Sequence, residues 1–322
     1  MLCIFVEVFH ICENARHMAI PPKKPFKSSS RVNNDRSTGK PSYPATRPAT
    51  APIRKHKLQL PKPPRTTKVS YSKADATDTW DKIAGWDDKH LTGENTYHKQ
   101  VVLPNLLRLV SPKRGESVVD LACGNGFFSD AFAKEGAQVT GIDVSEELIS
   151  VARKNAPAVS FHVSSAEKFD IIADNSKDKV VIVLAIQNIE HTAKVLAEAS
   201  RVLKLGGVLH IVMNHPAFRI PKCTSWEYDE KKKMQYRRVD EYLSESKSVI
   251  DMHPGKPNSP QTISYHRPLQ YYFKLLQKAN FTVERLEEWT SHKASDSGPR
   301  ANAENHARKE FPLFLYLAAK KI

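Results

Sequence analysis

Residues 118–128 read VVDLACGNGFF, an apolar run that contains one acidic residue and leads into a short loop with two glycines. The run is brief and rich in β-branched residues, which predicts a buried strand. Residues 127–136, FFSDAFAKEG, predict a helix that Gly136 terminates. This part of the chain therefore predicts a strand, a glycine loop and a helix in succession.

The same alternation continues along the chain. Residues 137–143 predict a second strand, and residues 145–156 predict a helix that Ser145 caps. Further strands are predicted at VSFHVSS (159–165), KVVIVLAIQNI (179–189), VLHIVMNH (208–215), FTVERLEEW (281–289) and FPLFLYLAAKK (311–321). A helix over TAKVLAEASRVLK (192–204) is predicted to close at Gly206 and Gly207, and another is predicted to end at Asn280. Strands that alternate with helices at this spacing predict an α/β fold with a doubly wound, mostly parallel sheet and helices on both faces.

The glycine loop marks the expected ligand site, because ligands of such sheets bind beyond the carboxyl ends of the strands. Gly124 and Gly126 allow a tight turn and close approach of a ligand. Asp143, at the end of the second strand, is placed to accept hydrogen bonds from a ribose diol. The third glycine of the dinucleotide fingerprint is missing, and Asp120 would repel a pyrophosphate. The site therefore favours a cationic ligand with a nucleoside part.

VVDLACGNGFF together with VTGIDVSEELISVARKNA (139–156) resembles motif I and the acidic second-strand motif of class I S-adenosylmethionine-dependent methyltransferases, in their small-molecule branch. The segment EASRVLKLGGVLHIV (198–212) resembles the part of that family that leads into and through the fifth strand. The resemblance covers about residues 78–322. It implies a Rossmann-like methyltransferase fold with a seven-stranded sheet, an antiparallel last strand pair, and S-adenosyl-L-methionine as cofactor.

The resemblance also implies a set of cofactor-binding residues. They are Asp120, Ala122, Gly124, Gly126, Asp143, Ser165, Ala166 and Gln187. By similarity, the first four would line the methionine moiety and Asp143 would bind the ribose. Ser165 and Ala166 stand where the family usually has Asp-Ala near the adenine, so the serine departs from the pattern. Gln187 belongs to the segment of the fourth strand.

The segment NHPAFRIP (214–221) is similar to the Asn/Asp-Pro-Pro-Tyr/Phe signature of amino-methylating relatives. It follows the fifth predicted strand rather than the fourth, so we interpret it as a strand exit at which Pro216 prevents further pairing. Methyl transfer requires a base only when the acceptor holds its proton tightly. Candidates are His191, His215 and His266, and we predict His215 and His266 as the catalytic pair because both fall on loops at the ligand edge.

Two segments are predicted to flank the sheet within a methyltransferase domain of residues 77–322. Residues 77–111 predict two helices that form an N-terminal cap. A connection as long as residues 215–262 predicts an inserted lid over the acceptor, with a solvated surface excursion as the alternative. Residues 291–310 predict a polar loop.

Residues 1–76 are predicted to be a basic leader that is largely disordered. The first 70 residues contain 14 Lys and Arg against 3 Asp and Glu, together with ten prolines, and leave only +3 of the formal net charge of +14 to the rest. A nearly neutral catalytic domain favours a small organic acceptor over nucleic acid. The alternatives are an RNA or protein methyltransferase that uses the leader as a substrate arm, and a cofactor-binding module without catalysis.

The sequence predicts neither a membrane segment nor secretion. Its first apolar residues are interrupted by Glu7 and are too few to span a bilayer. The four cysteines form no CxxC pair and no zinc spacing, which predicts no metal site, no disulfide framework and a cytoplasmic location. The sequence leaves open the oligomeric state and whether translation starts at Met1 or Met18.

Overall fold

The structure is a computed structural model that describes residues 80–81, 93–251 and 259–322. The predicted leader, residues 77–79 and 82–92 of the predicted cap and residues 252–258 of the predicted lid lie outside the described residues. The domain boundaries drawn from the sequence therefore stay predictions.

Strands and helices alternate over most of the described chain. The strands are β1 (Ser117–Leu121), β2 (Gln138–Asp143), β3 (Ser160–Val163), β4 (Lys177–Val183), β5 (Leu203–Asn214), β6 (Thr224–Asp229), β7 (Met234–Val239), β8 (Ser246–Asp251), β9 (Gln261–His266), β10 (Phe281–Trp289) and β11 (Phe314–Lys321). The α-helices are α1 (Leu103–Val110), α2 (Phe127–Lys134), α3 (Glu146–Asn155), α4 (Thr192–Val202), α5 (Leu269–Lys278) and α6 (Ala301–Glu310). A π-helical turn, His98–Val102, leads into α1, and a 3-10 turn, Ile186–Asn188, follows β4.

Seven strands form one sheet in the order β10-β11-β5-β4-β1-β2-β3. Within it β1, β2, β3, β4 and β5 pair in parallel, whereas β11 is antiparallel to both β5 and β10. The predicted fold class is therefore confirmed, including the antiparallel pair at the end of the chain.

The chain reverses its direction across the sheet beside β1. It moves from β1 to β2 and β3 on one side, and then returns to β4 on the other side of β1. Because such crossovers are right-handed, the helices of the two halves cover opposite faces of the sheet. The carboxyl ends of β1 and β4 therefore open the crevice in which ligands of this architecture bind.

The central strands carry the core of the sheet. Val118 and Val119 of β1 and residues 180–182 of β4 are fully buried, as their uninterrupted apolar runs predicted. Burial stabilises each such side chain by roughly 1.5–3 kcal/mol relative to exposure. Among the described residues, no helix combines the length and the apolar character that crossing a membrane requires.

Three predictions of local structure are wrong. The fourth strand ends at Val183 instead of reaching Ile189, and a 3-10 turn occupies Ile186–Asn188. Helix α4 ends at Val202 and β5 begins at the next residue. Gly206, which was predicted to end the helix, lies inside β5 instead. It has a φ of 78° and lies near an irregularity in the pairing of β5 with β4.

The predicted polar loop contains α6, which has one buried residue, Ala307, and an ion pair between Arg308 and Glu304. A helix with so narrow a buried face leaves no apolar period in the sequence.

The predicted lid segment forms two antiparallel ribbons, β6–β7 and β8–β9. The second ribbon continues to His266, beyond the predicted boundary at residue 262. Its base is fixed to the exit of β4, since Asn188 Nδ2 donates to the Ile263 carbonyl at 2.9 Å. The ribbon thus begins at the ligand edge of the sheet, while its role as a lid stays a prediction.

Candidate cofactor site and acceptor cavity

Asp120 lies at the carboxyl end of β1 and is buried. The hydroxyl of Ser129, on α2, donates to its Oδ2 at 2.6 Å. Removal from water raises the pKa of Asp120 to about 7, an effect that the Ser129 hydrogen bond opposes and the nearby charge of Asp143 reinforces. A cation bound beside this carboxyl would favour its charged form.

The loop between β1 and α2 turns sharply through left-handed backbone conformations. Ala122, Gly124 and Gly126 have φ values of 59°, 56° and 81°. A Cβ on Gly126 would lie 2.9 Å from Phe161 Cζ and 3.1 Å from Ala152 Cβ. Gly126 is therefore required by the turn and by packing against α3 and β3, in addition to any approach of a ligand.

Asp143 joins the glycine loop to the start of α3. Its Oδ2 accepts from the Gly124 N–H at 2.9 Å and its Oδ1 from the Ser145 N–H at 3.0 Å. Burial raises the pKa of Asp143, while these amide donors act in the opposite direction. Because β1 and β2 are adjacent and parallel, the two carboxyls lie at neighbouring strand ends.

The start of α3 also contacts the predicted cap. Ser145 caps this helix, accepting from the Leu148 N–H at 3.1 Å, and donates its hydroxyl to Asp81. The helical residues 80–81 are thereby attached to the same edge of the sheet as the two buried carboxyls.

Ser165 and Ala166 lie half-buried in the turn after β3. This turn is held beside the second strand, because the Ser164 N–H donates to the Asp143 carbonyl at 2.8 Å. The Ser165 hydroxyl accepts from the Glu167 N–H at 3.2 Å and so stabilises its own turn. Seven of the eight predicted cofactor residues therefore lie at the carboxyl ends of β1 and β2 or on the loops that follow β1 and β3.

Gln187, the eighth, lines a separate, partly open cavity at the carboxyl ends of β4 and β5. Polar side chains dominate its lining, and they include Gln187, Asn214, Arg219, His266, Arg267 and Tyr272. The sequence did not identify the two arginines or the tyrosine, since they come from the strand-5 exit and the β9–α5 junction, which only the fold brings together. The one feature of the sequence that could have indicated any of these three residues is the position of Arg267 directly after the predicted catalytic His266.

His266 lines this cavity with a defined tautomer. Its Nε2 bonds the Tyr242 carbonyl at 2.8 Å, and because a carbonyl only accepts, Nε2 carries the proton. The lone pair therefore resides on Nδ1. Burial lowers the pKa of His266, so the ring is neutral at pH 7 and has the protonation state of a general base.

His215 has a different environment, although its neighbours Asn214 and Pro216 line the cavity. Its Nδ1 accepts from the amides of Ala217 and Phe218 at 3.1 and 3.4 Å, and its Nε2 donates to Glu288 Oε1 at 2.7 Å. Both ring nitrogens are thus engaged in fixing the turn after β5. The structure separates the predicted catalytic pair and brings only His266 to the cavity.

The donor set of the site suits an organic cation better than a metal ion. Within residues 80–81, 93–251 and 259–322, no group of three His, Cys, Asp or Glu side chains has a metal-binding arrangement. Asp120 and Asp143 are instead two buried carboxyls whose pKa values are raised by burial, which is the electrostatic setting that a positively charged ligand relieves.

Comparisons with known proteins agree with this arrangement. Residues 119–211 match a family described as a methyltransferase domain. Demethylmenaquinone methyltransferase of Chlorobaculum parvum is 34% identical over 146 residues, which are 44% of this chain and 60% of that protein. The ubiquinone/menaquinone biosynthesis C-methyltransferase of Zymomonas mobilis is 36% identical over 107 residues, 32% of this chain and 44% of the relative. The chain thus spans less than two thirds of the length of these relatives.

The fold has a counterpart among solved structures. The crystal structure of an S-adenosylmethionine-dependent methyltransferase from Mesorhizobium loti covers 68% of this chain and 96% of its own, with 23% identity and a TM-score of 0.55. The matched domain contains β1, the glycine loop and most of β5, which are the elements that build the site. Residues 119–211 therefore match a methyltransferase domain in sequence, and the sheet has the fold of the S-adenosylmethionine-dependent methyltransferase from Mesorhizobium loti.

Proposed function

We propose that the protein is an S-adenosylmethionine-dependent methyltransferase that moves a methyl group to a small organic acceptor. The observation that carries the proposal is the pair of buried carboxyls, Asp120 and Asp143, at the ends of adjacent strands. The names of the two relatives, which are methyltransferases of menaquinone and ubiquinone biosynthesis, support a small-molecule acceptor.

The residues present fit this cofactor. Asp120 would hold the cationic methionine end, since an ammonium or sulfonium charge offsets the cost of its buried carboxylate. Asp143 would accept from a ribose hydroxyl, because an ionised carboxylate has about four acceptor positions and the backbone amides of Gly124, Ser145 and Val144 fill at most three. Ser165 and Ala166 would lie toward the adenine.

When bound, the cofactor would supply a methyl group on a positively charged sulfur, which makes that carbon an electrophile for a lone pair of the acceptor. The protein orients the acceptor in line with the methyl–sulfur bond and excludes water, which contributes roughly 7–11 kcal/mol when the geometry is good. Nδ1 of His266 takes the proton that a hydroxyl or amino acceptor releases. A carbon acceptor would use the same base for its C–H proton.

The cavity supports a small acceptor. Polar side chains from separate segments converge on it, and convergent polar groups of this kind fix the orientation of a ligand in small-molecule sites. It adjoins the ends of β4 and β5, while the carboxyls lie at the ends of β1 and β2, so cofactor and acceptor would occupy the two sides of the crevice.

Incubation with methyl-labelled S-adenosylmethionine and a cell extract tests the proposal. Label among small molecules supports the proposal. Label in RNA or protein would mean that the acceptor is a macromolecule, and would give the predicted leader a role in docking it. No label, with S-adenosylhomocysteine bound, would indicate a cofactor-binding module without catalysis.

The cofactor assignment has its own test. Asp143→Ala should weaken S-adenosylhomocysteine binding at least about tenfold, the effect of losing roughly one charged hydrogen bond. Asp170→Ala, which changes an aspartate whose side chain is 84% exposed, is the matched control. Equal affinities of the two variants would contradict the assignment of Asp143 to the ribose.

A further inference from the structure

The cavity presents an acceptor oxygen that the protein does not satisfy. Gln187 Nε2 donates to the Leu184 carbonyl, which fixes the orientation of the amide and turns Oε1 away from that contact. Oε1 is buried and has no hydrogen-bond partner in the described part of the chain. Asn214 Oδ1, from the end of β5, is buried in the same way and lines the same cavity.

Such atoms indicate what a ligand has to supply. A buried oxygen without a donor is destabilising, and structures seldom retain one without a function. A bound molecule with a hydroxyl or amino group would supply the missing hydrogen bond to Gln187. A molecule that offers only carbonyl oxygens and hydrocarbon would leave it unsatisfied.

The cavity lining also carries positive charge. Arg267 is buried, and its Nη1 and Nη2 donate to the carbonyls of Ile189 and Glu190 at 3.0 and 2.7 Å. Its guanidinium also lies over the rings of Tyr265 and Tyr271, at 4.8 and 5.2 Å. Among the described residues no carboxylate forms an ion pair with it, and the nearby Glu190 carboxylate contacts Tyr265 and Lys247 instead.

A second arginine adds to this charge. Arg219 is buried and lines the same cavity from the exit of β5. Two guanidinium groups beside one small cavity create a positive potential that favours an anion, and their planar donor geometry matches a carboxylate.

We infer that the acceptor is a small organic acid that carries a hydroxyl or amino group. Its acidic group lies toward Arg267 and Arg219, and its hydroxyl or amino group donates to Gln187. The inference rests on the proposed function, because it describes the molecule that would receive the methyl group. Arg267 also ties the β8–β9 ribbon to the exit of β4, and one guanidinium has enough donors for both tasks.

The first experiment identifies the charge of the product. The purified full-length protein is incubated with methyl-labelled S-adenosylmethionine and the small-molecule fraction of a cell extract. Unreacted cofactor is removed on a cation exchanger, and labelled products are separated on an anion exchanger at mildly alkaline pH. We expect the label in the retained, acidic fraction.

The second experiment tests the arginines with the isolated acid. Arg267→Gln and Arg219→Gln should each raise its KM at least about tenfold, because each removes a charge-assisted contact. Arg285→Gln, on β10 with a side chain 58% exposed, is the control and should leave KM unchanged. Unaltered S-adenosylhomocysteine affinity shows that a variant is folded, and two arginine variants are used because Arg267 also holds the ribbon.

The outcomes separate the inference from the proposed function. Label in the neutral or cationic fraction overturns the acidic acceptor and leaves methyl transfer to a small molecule intact. If the product is acidic but the KM of its acceptor is unchanged in both arginine variants, the inference is also overturned. If no small molecule is labelled although S-adenosylhomocysteine binds, the proposed function fails and the inference fails with it.

Discussion

Replacing Asp120 by asparagine should stabilise the cofactor-free protein and weaken cofactor binding. Asp120 is 1% exposed, and burial raises its pKa from the ordinary 3.8 to about 7. The folded state therefore holds a proton that the unfolded state releases, and stability is lost as the pH rises from about 4 to about 7. Asparagine has the same shape, keeps an oxygen for the Ser129 hydroxyl and carries no charge.

The size of the effect follows from the two pKa values. At about pH 8 the ionised carboxyl costs about 4 kcal/mol of folding free energy, and Asp120→Asn should recover most of it. At about pH 5 the gain should shrink to about 2 kcal/mol, and at about pH 4 to below 1 kcal/mol, since the carboxyl of the unfolded chain then also becomes protonated. The same variant should bind S-adenosylmethionine at least about tenfold more weakly, because the cationic methionine end loses its counter-charge.

Urea unfolding of the cofactor-free protein at these pH values measures the gain, and calorimetric titration measures the affinity. Asp170→Asn is the control for loss of an exposed aspartate, and its stability should change by less than about 0.5 kcal/mol. A gain that is absent at the alkaline pH, or equal at all three pH values, would refute the view that a buried, ionisable Asp120 is maintained for the cofactor.

Three further substitutions test other parts of the site. Burial lowers the pKa of His266 below its ordinary 6.5, so kcat should stay constant as the pH falls to 6.5 and decline only at lower pH. In steady-state assays, His266→Gln should lower kcat about 100-fold or more and abolish this decline. His215→Ala should cost about 1–3 kcal/mol in urea unfolding, because it leaves Glu288 and the turn amides without a partner, and an altered pH–rate profile would contradict this positioning role. Gly126→Ala should destabilise by about 1–3 kcal/mol or more in thermal unfolding, since its Cβ would meet Phe161 at φ +81°, and a wild-type melting temperature would disprove the packing argument.

The sheet could be predicted from the sequence because its central strands are encoded locally. Short, largely apolar runs at β1 and β4, with a glycine loop after the first, have few other interpretations. Gly206 misled the prediction, because glycine serves a strand irregularity as readily as the end of a helix. Helix α6 was missed because a helix that buries only Ala307 has no periodic apolar face.

The cofactor side of the site was more accessible to sequence reasoning than the acceptor side. Asp120 and Asp143 occupy strand ends that the alternation of elements already fixes. Arg267 and Gln187 line the same cavity only because the β8–β9 ribbon is fixed to the exit of β4. No local sequence pattern indicates this long-range contact. The ring orientations that distinguish His215 from His266 depend likewise on distant partners, Glu288 and the Tyr242 carbonyl.

The position of the β8–β9 ribbon has a consequence for how such a protein diversifies. The buried carboxyls belong to β1 and β2, whereas most of the cavity lining comes from residues 214–221 and 264–272. Natural variation in these two stretches can alter which molecule is recognised without disturbing Asp120 or Asp143. A graft of the corresponding stretches from a relative, with Asn188 and Arg267 kept as attachment points, is therefore a rational way to build an enzyme of new selectivity on this sheet.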